Sequence, residues 1–369
     1  MKLEVIRVLD DDGRVVHPER EPALSGDDLR RLFRTMLLVR ILDERMIRLQ
    51  RQGRMGFYLT SLGEEATHIG AAHALRPGDW LYPAYREIGA ALHRGYPLRT
   101  FMCQLFGNAE DPVKGRQMPV HHSVRRLNFV SVSSPVGSHI PHAVGTAWAA
   151  RLQKTQDVAV AFFGDGATST PTFHVSMTFA SLKKAPAILL CRNNGWAISV
   201  PSSVQTASAS FPQKAVAYGM PGVLVDGNDI LAMIHVVAEA AARGRRGEGP
   251  TLIEARTYRR GAHSSSDDPS KYRDPDEPRE WERRDPIERL RKYARGRGEM
   301  DAAFEEQVRQ EIDADINDAL AYAEARPPKP PLSSLVEDVF AEVTPRLREE
   351  LAAVEAEIAK HGPKRAPHS

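Results

Sequence analysis

Apolar residues recur at helical spacing near the start of the chain. A capping pair, Ser25 and Asp28, precedes a run that predicts an amphipathic helix to about Gln52, with Leu29, Leu32, Phe33, Met36, Val39 and Leu42 on one face. Residues 1–24 combine short strand-like and charged segments with two prolines, so we expect them to form an N-terminal arm.

The pattern between residues 53 and 138 is less regular. A loop with several glycines leads into a predicted helix near 64–74, and residues 78–95 predict a turn, a short strand, a loop and a helix. Residues 110–138 show no period and contain many helix and strand breakers. Such a long irregular stretch within a compact domain is more often functional than idle.

From residue 139 the pattern alternates between the two kinds of element. Helices are predicted at 140–153, 173–182 and 230–243, and strands at 158–163, 187–191, 223–225 and 251–258. This alternation predicts an α/β fold with a doubly wound parallel sheet flanked by helices. After a polar, proline-rich stretch to about residue 278, two charged helices are expected.

These elements suggest one α/β domain over residues 25–330 and a mostly helical C-terminal extension over 331–369. In sheets of this kind, ligands gather beyond the carboxyl ends of the strands.

The composition of the chain limits the partners and the compartment that we expect for it. The net charge is only +2, from 50 basic and 48 acidic side chains, which gives no reason to expect nucleic acid or a membrane as partner. The sequence lacks a run of about 20 apolar residues, and its N-terminus lacks the apolar core of a signal peptide. Cys103 and Cys191 lie among apolar neighbours, as free thiols in a reducing compartment do, so we expect a cytoplasmic protein.

Candidate chemistry lies at the ends of two successive predicted strands. The first ends in Gly164-Asp165-Gly166, where glycine permits close approach of a phosphate and the carboxylate suits Mg²⁺. Alone, such a triplet is often only a turn. Asn194 lies 29 residues farther on, after the next strand, where its amide oxygen and the carbonyl of Trp196 can complete a Mg²⁺ site that leaves room for diphosphate oxygens.

With these residues in view, the sequence resembles the thiamin diphosphate-dependent 2-oxo acid dehydrogenase α subunits. The resemblance is strongest to the branched-chain (2-oxoisovalerate) members. It covers roughly residues 25–345, and "KGRQMPVHH" and "HSSSDD" favour the branched-chain branch. The matching stretches, in family order, are "GEEATHIGAAHAL", "YREIGAALHRGYPL", "KGRQMPVHH", "SSPVGSHIPHAVG", "CRNNGWAIS", "VDGND" and "TYRRGAHSSSDDPSKYR".

The resemblance implies roles for individual residues. Mg²⁺ would be held by Asp165, Asn194 and the Trp196 carbonyl, and His263 and Ser134 would be catalytic. The cofactor would be surrounded by Tyr85, Arg86, Ser134, Val136, Gly164, Gly166, Ala167, Arg192, Asn194 and His263. The 2-oxo acid pocket would be lined by Phe57, Tyr85, Met118, Pro119, Val120, His121 and Ser134. A structural K⁺ would bind at Ser133, Pro135 and Ser138.

Some of these residues have another interpretation, and the sequence departs from the family pattern at several positions. Arg86 could be a solvated charge, and histidines 121, 122 and 263 could be ordinary loop residues. His139 replaces an amide residue that is common at the potassium loop, which argues against K⁺. The acidic pair that often follows the glycine triplet is absent, and Pro171 is expected to start the next helix instead.

Two further expectations concern the loop at residues 261–278. In mitochondrial relatives the serine equivalent to Ser264 is a regulatory phosphorylation site, and we expect the 261–278 loop to be mobile without cofactor.

The resemblance also implies partners, because a second α/β domain is not evident in the sequence. A β subunit would supply the glutamate that activates the cofactor's pyrimidine, in a heterotetramer of two α and two β subunits. The acyl product would pass to a lipoyl group on an acyltransferase core. The alternatives are a pyruvate or acetoin dehydrogenase α subunit, a transketolase-like transferase, and a catalytically inert regulatory subunit.

Overall fold

A six-stranded parallel sheet forms the centre of the molecule, in a computed structural model that describes residues 4–362. Its strand order is β1-β7-β8-β4-β3-β2, and an antiparallel ribbon, β5-β6, lies outside it. The strands are β1 (Val5–Ile6), β2 (Trp80–Tyr82), β3 (Ala159–Gly164), β4 (Ala187–Asn193), β5 (Trp196–Ala197), β6 (Val200–Pro201), β7 (Gly222–Asp226) and β8 (Thr251–Arg256).

Helices cover both faces of the sheet, which confirms the predicted fold class. They are α1 (Gly26–Arg51), α2 (Glu65–Ala74), α3 (Ile88–His93), α4 (Leu98–Phe106), α5 (His139–Leu152), α6 (Pro171–Leu182), α7 (Ser202–Gln205), α8 (Gln213–Ala217), α9 (Ile230–Arg245), α10 (Glu277–Glu282), α11 (Pro286–Gly296), α12 (Ala302–Glu324) and α13 (Pro345–His361). Short 3-10 turns occur at Pro18–Arg20, Arg125–Leu127, Asp165–Ser169, Pro269–Lys271 and Leu332–Leu335.

The central strands separate two hydrophobic cores. In β4, Ile188 and Leu190 join the larger core with helices α1, α2 and α9, whereas Leu189 and Cys191 join the smaller core with α5 and α6. Alternate side chains of a strand point to opposite faces, so a strand buried on both sides is apolar throughout. This explains why β3 and β4 are the most regular apolar runs in the sequence.

The residues expected to start helices α1 and α6 do so in the structure. Ser25 and Asp28 form a reciprocal capping box at α1, since each side chain accepts from the other residue's backbone N–H. Pro171 occupies the first turn of α6, and Thr170 caps that helix by accepting from the backbone N–H of Phe173. Both caps fix where the chain leaves the preceding loop.

Several parts of the chain differ from expectation. The helices α4, α7 and α8 and the β5-β6 ribbon were not predicted, and three helices rather than two, α10 to α12, lie between residues 276 and 330. At the N-terminus, β1 pairs with β7, and the backbone N–H groups of Val8 and Leu9 each donate to Asp229 at 2.7 Å. Asp229 also caps α9, so this contact joins the N-terminal segment to the sheet.

None of the helices in residues 4–362 is long and apolar enough to span a membrane. Cys103 and Cys191 are both buried and free.

Candidate active site

A cavity of about 450 Å³ opens beyond the carboxyl ends of β3 and β4. Gly164 pairs with Arg192 in the register of these strands, so the residues that follow them leave the sheet at one edge. The cavity is lined by every residue that the sequence analysis assigned to the cofactor or to Mg²⁺: Tyr85, Arg86, Ser134, Val136, Gly164, Asp165, Gly166, Ala167, Arg192, Asn194, Trp196 and His263.

The candidate metal ligands are buried at the floor of this cavity. Asp165 is 1 % exposed, and burial raises the pKa of its carboxyl group to about 6. Its Oδ2 atom accepts a hydrogen bond from Gln205 Nε2 at 2.5 Å, a neutral donor. The oxygen of the Asn194 side chain accepts from the backbone N–H of Trp196 at 3.2 Å, and its nitrogen donates to Glu64 at 3.0 Å. Both side chains therefore present oxygen atoms at the site.

This donor set fits a metal ion that is completed by a ligand. Within residues 4–362 no group of three His, Cys, Asp or Glu side chains is placed to hold a metal ion by itself. One carboxylate, one amide oxygen and one carbonyl leave coordination positions for diphosphate oxygens, as Mg²⁺ requires. A cation here would also offset the unfavourable burial of the Asp165 charge.

Arg192 is held in place by two carboxylates. It forms a short ion pair with Glu64, and its Nε lies 2.7 Å from Glu87. Although burial opposes it, the charges of Glu87 and Glu64 raise the pKa of Arg192. The guanidinium group is thus fixed and charged before any ligand arrives.

Arg86 and Arg259 are also buried, but their charges are balanced less closely by carboxylates. The carboxylate nearest to the Arg86 guanidinium group is that of Glu64, 3.9 Å from its Nε, and burial lowers the pKa of Arg86. Arg259 is 1 % exposed and donates to the carbonyl of Ile198 at 2.7 Å and to the Tyr272 hydroxyl at 2.8 Å. Neither of these Arg259 contacts is a carboxylate. Two buried guanidinium groups of this kind favour a phosphorylated anion in the cavity.

His263 is the half-buried loop residue beside these arginines. Burial, together with Arg86 and Arg259, lowers the pKa of its imidazole to about 4. Its Nδ1 accepts from Arg86 Nη2 at 3.2 Å, and a guanidinium group can only donate. The neutral ring therefore carries its proton on Nε2, where it is available as a hydrogen-bond donor.

Ser134 is linked to the predicted substrate segment through a histidine. Its hydroxyl forms a short hydrogen bond with His121 Nε2, while His121 Nδ1 lies 3.1 Å from the Pro119 carbonyl. Because a carbonyl can only accept, Nδ1 carries the imidazole proton and Nε2 accepts from Ser134. The hydroxyl proton of Ser134 thus points to a basic nitrogen.

The other predicted substrate residues lie away from the cavity lining. Met118 is 51 % exposed, and Phe57 packs against the larger hydrophobic core. Met118 and Val120 are both held by Gln104 of α4, which donates to the Met118 carbonyl at 2.8 Å and accepts from the Val120 N–H at 2.9 Å. The helix that the sequence analysis missed thus supports the segment assigned to the substrate.

The residues assigned to K⁺ lie together. Ser133 and Ser138 hydroxyls are 2.8 Å apart, and the Ser138 hydroxyl donates to the Pro135 carbonyl at 2.8 Å. His139, the departure from the family pattern, forms a 2.6 Å hydrogen bond with the Phe162 carbonyl. Its ring is therefore joined to β3 by this hydrogen bond, while the residue also lines the cavity.

Three residues of the site were not predicted from the sequence. Glu64 and Arg259 lie within the matching stretches but were assigned no role, and the local sequence around Gln205 gives no signal. An arginine three residues after a buried strand, as Arg259 is after β8, could have been noticed, because unpaired buried arginines are rare. Gln205 reaches Asp165 only through the tertiary fold.

The fold and this cavity define a cofactor-dependent enzyme of the parallel α/β class. The sequence profile of the family described as "Dehydrogenase E1 component" matches residues 33–332, and the chain belongs to this family. Membership implies dependence on thiamin diphosphate, and confirms the resemblance found in the sequence.

Within the family, the chain is similar to α subunits of one enzyme. It is 39 % identical over 361 residues to the mitochondrial 2-oxoisovalerate dehydrogenase subunit alpha of Mus musculus, covering 98 % of this chain and 81 % of that protein. Identity to the corresponding Caenorhabditis elegans subunit is 41 %, covering 97 % and 83 % of the two chains. Identity to subunit alpha 2 of Arabidopsis thaliana is 40 %, covering 96 % and 75 %. The comparisons thus support the branched-chain α subunit that the sequence analysis expected.

Proposed function

We propose that this chain is the α subunit of the decarboxylating component of a branched-chain 2-oxo acid dehydrogenase complex. The proposed reaction is oxidative decarboxylation of 2-oxoisovalerate-type acids with acyl transfer to lipoyl groups. The observation that carries the proposal is the cavity in which Asp165 and Asn194 present oxygen atoms beside buried Arg86 and Arg259. That combination suits a divalent metal ion and a diphosphate.

Asp165, Asn194 and the Trp196 carbonyl would hold Mg²⁺, and Arg86, Arg192 and Arg259 would position the diphosphate. Thiamin diphosphate, when bound, supplies the carbon nucleophile and the electron sink for decarboxylation.

The remaining steps belong to this chain's own side chains. His263 offers an N–H donor to the cavity, and Ser134 can exchange a proton with His121. Both residues line the cavity, so each can offer a proton or a hydrogen bond to a 2-oxo acid bound there. We assign them the binding and proton-transfer roles on this basis.

A second subunit is part of the proposal. Val136 and Ile198 line the cavity yet are 58 % and 54 % exposed, and nearby Val204 is 73 % exposed. Exposed apolar residues around the mouth of a site favour a protein surface closing over it. We therefore propose a β subunit at this mouth, a heterotetramer of two α and two β subunits, and a lipoyl-bearing acyltransferase as acceptor. A K⁺ ion at Ser133, Pro135 and Ser138 remains a further proposal.

The test is decarboxylation by the chain co-purified with its β subunit, with Mg²⁺, thiamin diphosphate and a dye as electron acceptor. Side-by-side assays with 2-oxoisovalerate and pyruvate should show a strong preference for 2-oxoisovalerate. The Asp165→Asn variant should lose roughly 100-fold or more in activity, since residues that only support metal ligands already contribute about 10- to 100-fold. Asp157→Asn is the matched control, because it lies just before the amino end of the same strand.

The other outcomes revise the proposal in defined ways. A preference for pyruvate would leave the cofactor site intact and move the assignment to a pyruvate dehydrogenase. Bound cofactor with turnover of neither acid would favour a transferase or an inert subunit. Failure to bind thiamin diphosphate at all would overturn the assignment.

A further inference from the structure

The carboxylate of Glu64 lies at the junction of the site, although it does not line the cavity. It is fully buried immediately before α2. One oxygen accepts from Asn194 Nδ2 at 3.0 Å, and the other forms the short ion pair with Arg192. Arg86 Nε is 3.9 Å away. One side chain therefore touches or approaches three residues assigned to the metal ion and the diphosphate.

The contact between Glu64 and Asn194 determines which way the amide faces. A carboxylate paired with an arginine has only acceptor atoms, so Asn194 can bond to it only through its NH₂ group. The amide oxygen is then left on the other side, where it accepts from the backbone N–H of Trp196 and retains a second lone pair. Rotation of the amide by half a turn would place two oxygen atoms against each other and remove the metal-binding atom.

We propose that Glu64 is a positioning residue that holds the Asn194 amide with its oxygen available to Mg²⁺ and thereby sets the metal affinity of the site. This inference rests on the proposed function. Glu64 acts through Asn194 and makes no contact of its own with the metal ion.

Glu87 provides a matched control. It is the second carboxylate on Arg192, with Oε1 2.7 Å from the guanidinium Nε, but Asn194 bonds to Glu64. Glu64→Gln and Glu87→Gln each remove one negative charge from the same buried arginine. Only Glu64→Gln also removes the group that orients Asn194, because a glutamine amide can present either oxygen or nitrogen.

The experiment measures cofactor binding rather than turnover. The chain and its β subunit are titrated with Mg²⁺ at fixed thiamin diphosphate, and binding is followed by quenching of tryptophan fluorescence. In Glu64→Gln the half-saturating Mg²⁺ concentration should rise about 10- to 100-fold, the range for groups that orient metal ligands. In Glu87→Gln, which weakens the support of Arg192 but leaves the partner of Asn194 in place, the rise should be at least about threefold smaller than in Glu64→Gln.

A double variant separates orientation from a general structural role. In Asn194→Asp, the new carboxylate has two equivalent oxygen atoms but lies against the carboxylate of Glu64, so Mg²⁺ binding should weaken. In Glu64→Gln/Asn194→Asp, the glutamine NH₂ can donate to one of these oxygens and leave the other for the metal ion. The double variant should therefore bind Mg²⁺ more tightly than either single variant. Losses that simply add would refute the orienting role.

The same titration distinguishes failure of the inference from failure of the function. Equal Mg²⁺ dependence in Glu64→Gln and Glu87→Gln, with wild-type binding intact, would overturn the inference alone. Absence of Mg²⁺-dependent cofactor binding in the wild type would overturn the proposed function and the inference with it. Thermal unfolding without cofactor shows whether each variant is folded before it is titrated.

Discussion

Replacing Asp165 with asparagine should stabilise the metal-free protein while removing cofactor binding. Burial raises the pKa of this carboxyl from 3.8 to about 6, so keeping it ionised in the fold is unfavourable at neutral pH. A difference of about two pKa units corresponds to roughly 3 kcal/mol, an upper figure because the site can relax. Asparagine preserves the shape and can still accept from Gln205, so most of this penalty should disappear.

The pH dependence follows from the direction of the shift. Between the unfolded pKa and the folded pKa of Asp165, the folded state binds more protons, so stability falls as pH rises through this interval. The penalty is fully present above about pH 6 and absent below about pH 4. Asp165→Asn should therefore gain roughly 1–3 kcal/mol in free energy of unfolding at pH 8 and close to nothing at pH 4.

Urea unfolding of the metal-free protein at these two pH values checks the prediction. Asp157→Asn, a half-exposed carboxylate at the other end of β3, should show no comparable gain at pH 8. Added Mg²⁺ and thiamin diphosphate should stabilise the wild type and leave Asp165→Asn unchanged. If Asp165→Asn were no more stable than the wild type at pH 8, the argument that burial opposes an ionised Asp165 would be wrong.

Three further predictions concern the cavity wall and its support. Arg259→Gln should weaken thiamin diphosphate binding roughly tenfold or more in a fluorescence titration, because it removes a charged donor, whereas exposed Arg246→Gln should not. His263→Asn should retain more cofactor affinity than His263→Ala, since the imidazole, with a pKa of about 4, acts as a neutral donor. Equal losses would contradict this neutral-donor role. Gln104→Ala should raise KM for the 2-oxo acid and lower the free energy of unfolding in urea by about 1–3 kcal/mol, because it leaves the Val120 N–H without its partner. An unchanged KM would show that residues 118–121 do not contribute to substrate binding.

The centre of the sheet could be predicted because each strand there carries its own signal. Strands β3 and β4 are buried on both faces, so their sequences are continuous apolar runs, and the expected and observed bounds differ by one or two residues. Helix α4 was missed although Pro97 precedes it and left-handed Gly107 ends it. A helix of nine residues is marginal by itself even when its pattern is amphipathic, and contacts with α12 stabilise it in the fold.

The residues of the site likewise divide into those that could be predicted from the sequence and those that could not. Asp165 and Asn194 could be placed together because both follow strands that must be neighbours in a parallel sheet. Glu64 and Asn194 are 130 positions apart, and Gln205 and Asp165 are 40 apart. Nothing in the local sequence of either residue specifies such a contact. Residues that follow the sheet topology are predictable, whereas residues that orient them depend on loops and helix ends whose positions are set by the whole fold.

The charged residues buried at this site are of two kinds. Some have their charge balanced by neighbouring residues of opposite charge, and others have it balanced less fully. Arg192 with Glu64 and Glu87 forms a compensated cluster, which keeps a guanidinium group fixed in the absence of ligand. Asp165, Arg86 and Arg259 are less compensated, so their unfavourable burial persists until a cation and an anion arrive together. Either ligand alone would satisfy one sign of charge and leave the other buried without a partner. Metal ion and diphosphate should therefore bind cooperatively, each raising the affinity for the other, and the less compensated residues should account for most of that coupling.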